Sequence, residues 1–190
     1  GITGAIDVSK KMKTSIENIY AVGDAVETWH LVTGEKVWIP LAHTANKMGY
    51  VAGTNIAGGN MRFPGVVGTA FTKAFDLHIA RTGLTEKEAR EKGFNVISAK
   101  IEARTRAHYY PGGGKLHLKV VADSDTGRIL GAQAVGPEGV TGRINTIATL
   151  LRYRGKVRDL FFSDLGYAPP FGPVWDPLIV ASRILMRQLS

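Results

Sequence analysis

The stretch Lys115–Val135, KLHLKVVADSDTGRILGAQAV, decides the fold. Leu116, Leu118 and Val120 alternate with Lys115, His117 and Lys119. A period of two puts the aliphatic residues on one face of a strand and the polar ones on the other, as in a half-buried antiparallel sheet. DSDTGR is a turn, and Ile129–Val135 is predicted to pair back as the second arm of a hairpin. Upstream, Phe94–Arg104 alternates again, with apolar Val96 and Ile101 among Lys100, Glu102 and Arg104. Ala70–Ala80 reads as one more strand, and Thr85–Lys92 as a helix opened by a capping box, Thr85 with Glu88 three residues on. Helical spacing of Ile144, Ile147, Ala148 and Leu151 marks Gly139–Arg152, and further helices are expected over Val157–Phe162 and Pro177–Gln188. Strands followed by helices predict an α+β domain: an antiparallel sheet with flanking helices.

The first third has a different texture. Ile19-Tyr20-Ala21-Val22 reads as a buried strand that stops at Gly23-Asp24. A glycine there lets a ligand approach the backbone, and ligands of open α/β sheets sit beyond strand carboxyl ends. Asp24 is therefore either an acceptor for a ligand hydroxyl or the cap of a following helix. Thr33-Gly34-Glu35-Lys36 reads as a turn between Trp29–Val32 and Val37–Ile39. Pro40 suits a first helical turn, and Leu41–Ala57 is a helix rich in Ala and Gly, packed close to something and ended by Gly58-Gly59. The boundaries expected are 1–58 for this segment, 59–69 for a Gly/Pro linker (GGNMRFPGVVG lies here) and 70–190 for the sheet domain.

Composition narrows the classes. The 190 residues carry 24 basic and 16 acidic side chains, a net charge of +8, and no cysteine. Disulfides, thiolate metal sites and cysteine chemistry are thus outside this chain. The basic residues are scattered and no nucleic-acid motif accompanies them, so neither nucleic acid nor membrane is expected as a partner. No apolar run approaches the ~20 residues of a membrane span. Gly1-Ile2-Thr3-Gly4 has no signal-peptide character, and Gly1 in place of an initiator Met points to a piece of a longer or processed chain. A cytoplasmic protein is expected. His78, His108 and His117 are isolated, and no metal spacing is found.

Five blocks carry a resemblance. TSIENIYAVGD (14–24) resembles the second flavin-binding motif of the pyridine nucleotide-disulfide oxidoreductases, and IPLAHTANKMGYVAGTNIAGG (39–59) the helix that follows it there. GTAFTKAFDLHIARTGLTEKEAREKGF (68–94) is similar to the start of their dimerisation domain. HYYPGGGKLHLKVVADSDTGRILGAQAVG (108–136) and DLGYAPPFGPVWDPL (164–178) resemble the coenzyme A-disulfide reductase and NADH oxidase branch. Nearly the whole chain is covered, with the blocks in order. The family's Gly-rich FAD loop, redox cysteine and NAD(P)H domain have no counterpart in this sequence, which therefore resembles the end of an FAD domain plus a complete dimerisation domain.

The resemblance implies roles. Asp24 would accept a hydrogen bond from a flavin ribityl hydroxyl, with Gly23 clearing the way. Pro40, Leu41 and Ala42 would bring a helix N-terminus to the flavin. His43 and Lys47 have a solvated reading beside contacts with flavin and with coenzyme A. Tyr167 and one of Tyr109 and Tyr110 would reach across a homodimer to the partner's redox cysteine and a coenzyme A-type thiol or disulfide, strand register deciding which of the adjacent pair points inward. FAD is the implied cofactor, with NAD(P)H bound by the absent part. The activity implied is reduction of a coenzyme A-type disulfide, a persulfide or oxygen. As an isolated chain, a non-catalytic dimerisation module is the alternative.

Overall fold

A computed structural model describes residues 1–189 of the chain. They form two compact units, one from Gly1 to Gly68 and one from Thr69 onward.

The first unit is organised around one helix. A short antiparallel ribbon, β1 (Thr28–Trp29) and β2 (Lys36–Val37), precedes α1 (Ala42–Ile56). Met48, Val51 and Ala52 of the helix close a small core with Val8, Met12, Val26, Phe63 and Val66. The helix ends as its sequence dictates: Gly59 N–H bonds the Thr54 carbonyl and Gly58 N–H that of Asn55, the double bond of a Schellman turn. Three expectations are corrected here. Residues 19–22 do not form a strand. Tyr20 bridges Lys13, with backbone bonds from Thr14 N–H to Ile19 and from Ala21 N–H to Met12 on either side, and the pairing goes no further. Pro40 stands before the helix, whose cap is Leu41, rather than in its first turn. Residues 59–69 do not form a free linker: Phe63 and Val66 are buried, and Val66 exchanges backbone bonds with Trp29 and Leu31. The small-residue face of α1 is only partly used, since a side chain at Gly49 or Gly53 would meet open space.

The second unit is a five-stranded antiparallel sheet: β3 (Ala70–Ala74), β4 (Leu77–Gly83), β5 (Val96–Arg104), β6 (Lys115–Asp123) and β7 (Ile129–Gly136), in the order β3-β4-β7-β6-β5. The β6–β7 hairpin is the predicted one. The run 70–80 is instead two strands, with Ala74 opposite Leu77 and Phe75 turning the chain at a φ of 52°. Val96 and Ile101 are five positions apart, an odd offset, and so fall on opposite faces.

One sheet face is apolar and covered. Leu116, Leu118, Val120, Ala132 and Ala134 are essentially inaccessible beneath α3 (Val140–Arg152), which lies on β4 and β7, and α5 (Pro177–Leu189), which lies on β5 and β6. Ile144, Ile147 and Leu151 are fully buried at the predicted spacing. Burial of each such side chain contributes about 1.5–3 kcal/mol. The opposite face keeps Lys100, Glu102, Lys115 and His117 in solvent. There α2 (Glu86–Glu91) sits, held by its Thr85–Glu88 capping box, by Arg81 to Glu88 at 2.7 Å and by Lys119 to Glu86. The short α4 (Val157–Phe161) packs against α5.

Candidate functional site

Two irregular segments at one end of the sheet carry the tyrosines. The β5–β6 connection holds Tyr109 and Tyr110, and the segment from α4 to α5 holds Tyr167. The Tyr109 and Tyr167 hydroxyls are 3.0 Å apart. The 109–110 pair lies in a turn, with Tyr110 N–H bonded to the Ala107 carbonyl, so turn geometry rather than strand register separates the two side chains. The Tyr110 hydroxyl has no hydrogen-bond partner among the described residues, and its ring is the less exposed, at 36% against 73% for Tyr109. A pair of phenols holds two protons and spends one on their mutual bond, which leaves one O–H to donate outward. The bond to Tyr109, followed by partial desolvation, raises the Tyr167 phenol above its ordinary range and keeps it a proton donor.

Both segments are pinned by ion pairs. Arg106 grips Glu138 with two parallel bonds, Nε–Oε1 at 2.8 Å and Nη2–Oε2 at 2.9 Å, and its Nη1 donates to the Pro111 carbonyl at 3.0 Å. Thr105 Oγ1 adds a 2.6 Å bond to Glu138. These donors, Arg106 foremost, hold the Glu138 carboxyl below the usual carboxylate range. Arg143, on α3 and only 6% exposed, donates from Nη2 to Asp176 at 2.8 Å and from Nη1 to the Gly139 carbonyl at 2.8 Å. Asp176 in turn caps α5 through Leu178 N–H at 2.8 Å. Ala107 N–H to the Pro169 carbonyl, 3.0 Å, ties the two segments directly.

In the first unit, Gly23, Asp24 and Ala25 form a single 3₁₀ turn. Gly23 has a φ of 77°, and a Cβ there would touch only Ala45 of α1, at 3.5 Å. The Asp24 carboxylate is exposed and accepts no hydrogen bond from the described residues, so it caps no helix. Its carbonyl is held by Trp38 Nε1 at 2.7 Å. Trp38 leads directly into Pro40, Leu41 and Ala42, where α1 begins without a side-chain cap. The turn and the helix start are thus neighbours. His43 and Lys47 are exposed on α1. Among the described residues no group of three or more His, Asp or Glu side chains could hold a metal ion. No helix is long and apolar enough to cross a membrane.

Trp38, Arg106, Glu138, Arg143 and Asp176 escape a reading of the sequence. Arg106–Glu138 and Arg143–Asp176 span 32 and 33 residues, and neither pair has a local spacing signal.

Residues 69–177 match the model of the pyridine nucleotide-disulphide oxidoreductase dimerisation domain. The chain belongs to this family. Over 185 residues it is 56% identical to a Pyrococcus furiosus protein named NAD(P)H sulfur oxidoreductase (CoA-dependent), covering 97% of this chain and 42% of that protein. A Methanocaldococcus jannaschii NADH oxidase is 40% identical over 186 residues, 98% of this chain and 41% of the relative. Among solved structures, a NAD-dependent persulfide reductase from A. fulgidus matches with a TM-score of 0.95 and 42% identity, over 99% of this chain and 35% of the other. The chain spans about two-fifths of the curated relatives it matches. Within the pyridine nucleotide-disulphide oxidoreductases it corresponds to the dimerisation domain and the segment that precedes it.

Proposed function

We propose that the full-length protein is a flavin-dependent NAD(P)H oxidoreductase that reduces a coenzyme A-type disulfide or persulfide, and that this chain supplies its dimer contact and two parts of its site. The observation that carries the reading is the 3.0 Å pairing of Tyr109 and Tyr167. It gathers one outward phenolic donor, the kind of group that release of a thiolate calls for. The names of the P. furiosus and A. fulgidus proteins support sulfur as the element reduced.

The first unit fits FAD. Gly23 leaves open backbone, Asp24 offers an unpaired carboxylate, and the first amides of α1 lack a cap. Asp24 would accept a hydrogen bond from a ribityl hydroxyl. The positive end of the α1 dipole, at Pro40, Leu41 and Ala42, favours negative charge on the flavin ring. FAD supplies the transfer of a nicotinamide hydride's electrons to a cysteine in the remainder of the protein. Across a homodimer, the Tyr109–Tyr167 pair donates its free proton to the thiolate released when the substrate S–S bond breaks. The balance is one disulfide, one NAD(P)H and one proton consumed, two thiols and NAD(P)⁺ formed. The protein works in the cytoplasm, with neither nucleic acid nor membrane as a partner.

Oxygen is the second reading, favoured by 40% identity to an NADH oxidase. Turnover of full-length protein with coenzyme A disulfide, coenzyme A persulfide and oxygen separates the two. Sulfur acceptors are expected to be the faster. Equal or faster turnover with oxygen alone overturns the sulfur assignment.

A further inference from the structure

The anchors of the two tyrosine segments converge on two consecutive residues between β7 and α3. Glu138 receives Thr105 and Arg106 from the segment that carries Tyr109, and the Gly139 carbonyl receives Arg143, which grips Asp176 at the end of the segment that carries Tyr167. The backbone at this step is specialised. Gly139 has a φ of 71°, and a Cβ there would lie 2.3 Å from Arg143 Nη1. Arg106 also bridges its own segment, from Glu138 on one side to the Pro111 carbonyl on the other, so its fork fixes the curvature across Tyr109 and Tyr110. A bidentate carboxylate–guanidinium pair fixes direction as well as distance, which a single bond does not.

We propose that Glu138 is a positioning residue: acting through Arg106, it holds the Tyr109 hydroxyl within hydrogen-bond reach of Tyr167, and the Glu138–Gly139 step keeps the two segments in one register. The inference rests on the reading of this pair as part of the site. Its geometry can nevertheless be read without activity. The Tyr109 hydroxyl lies 3.0 Å from that of Tyr167 and raises its phenol, so Tyr167 ionisation reports whether Tyr109 is in place.

The test is fluorine NMR of full-length protein carrying fluorotyrosine at position 167. In Glu138→Gln, the ionisation midpoint of that phenol is expected to fall toward its value in Tyr109→Phe. In the double variant it is expected to equal that of Tyr109→Phe alone, because Glu138 works only through Tyr109. Glu138→Asp, which keeps the charge, should recover part of the shift. The thiol-forming half-reaction should slow by roughly ten- to a hundredfold in Glu138→Gln, as expected for a displaced donor. Arg106→Lys keeps the positive charge and loses the fork, and is expected to act like Glu138→Gln. An unchanged midpoint in Glu138→Gln, or the same shift in the Tyr109→Phe background, overturns the proposal. Failure of both Glu138→Gln and Arg106→Lys to fold also overturns it, by making the pair a stability element. If the midpoints move as expected and sulfur turnover does not, the positioning stands and the proposed function falls.

Discussion

The hydroxyls of Tyr109 and Tyr167 meet at 3.0 Å across 58 residues of sequence. One proton is committed between them, so the pair behaves as a unit with one outward donor. Phe at either position keeps the ring and removes either the outward donor or the hydroxyl that holds that donor in place. Each single variant should slow the thiol-forming half-reaction by about 10²–10⁴, the usual worth of a positioned acid or donor, and leave reduction by NAD(P)H unchanged. The double variant should lose less than the product of the singles. Stopped-flow kinetics of each half-reaction in full-length protein measures this, and wild-type rates in all three variants would return these tyrosines to packing.

Asp24 has its backbone tied down and its carboxylate left free. Asp24→Ala removes an acceptor from a ligand hydroxyl and should weaken FAD binding by roughly 1–3 kcal/mol, without lowering the melting temperature of the apo form. Trp38→Phe removes the 2.7 Å indole bond to the Asp24 carbonyl and should weaken FAD in the same direction, by about 0.5–1.5 kcal/mol. FAD titration of full-length apoprotein checks both. Unchanged retention in Asp24→Ala would leave that residue without a ligand role.

The core of the second unit should behave as a tightly packed sheet-and-helix layer. Leu118 is 1% exposed between β5, β7 and the helices, and Leu118→Ala should cost about 2–5 kcal/mol. Thr85→Ala removes the hydroxyl that accepts from Glu88 N–H, leaves the backbone bond from residue 85 to the Glu88 carboxylate, and should cost about 0.5–2 kcal/mol. Denaturant unfolding gives both values.

Acid stability should depend on Glu86. Lys119 foremost, with Arg90 and Ser98, lowers its carboxyl from 4.5 to about 2. A folded-state value below the unfolded one means stability present above pH 4.5 and lost as pH falls toward 2. The gap in stability between wild type and Glu86→Gln should therefore narrow over that window and be constant from pH 5 to 7. Unfolding midpoints in a pH series test this; a gap that widens on acidification contradicts it.

Periodicity made β6 and α3 legible because each buries one face against its neighbours, whereas β7 was legible from the turn before it and α2 from its capping box. The turn at Phe75 was illegible, since an aromatic residue at positive φ carries no turn signal. Residues 19–22 have the composition of a strand, but composition does not set how far pairing extends, and here it stops after the single Lys13–Tyr20 bridge. Of the site, the tyrosines and Asp24 came from motif resemblance, whereas Arg106–Glu138 and Arg143–Asp176 depend on contacts the fold alone brings together.

The central claim is that the tyrosine pair serves the partner's cysteine. Hybrid dimers test it directly: one full-length protomer carries Tyr109→Phe and Tyr167→Phe, and the other lacks the redox cysteine. Trans donation leaves one complete site per hybrid and predicts about half the wild-type turnover, although each parent homodimer is impaired. If the pair serves its own protomer, no site is complete and the hybrid turns over no faster than its parents, which would contradict the account.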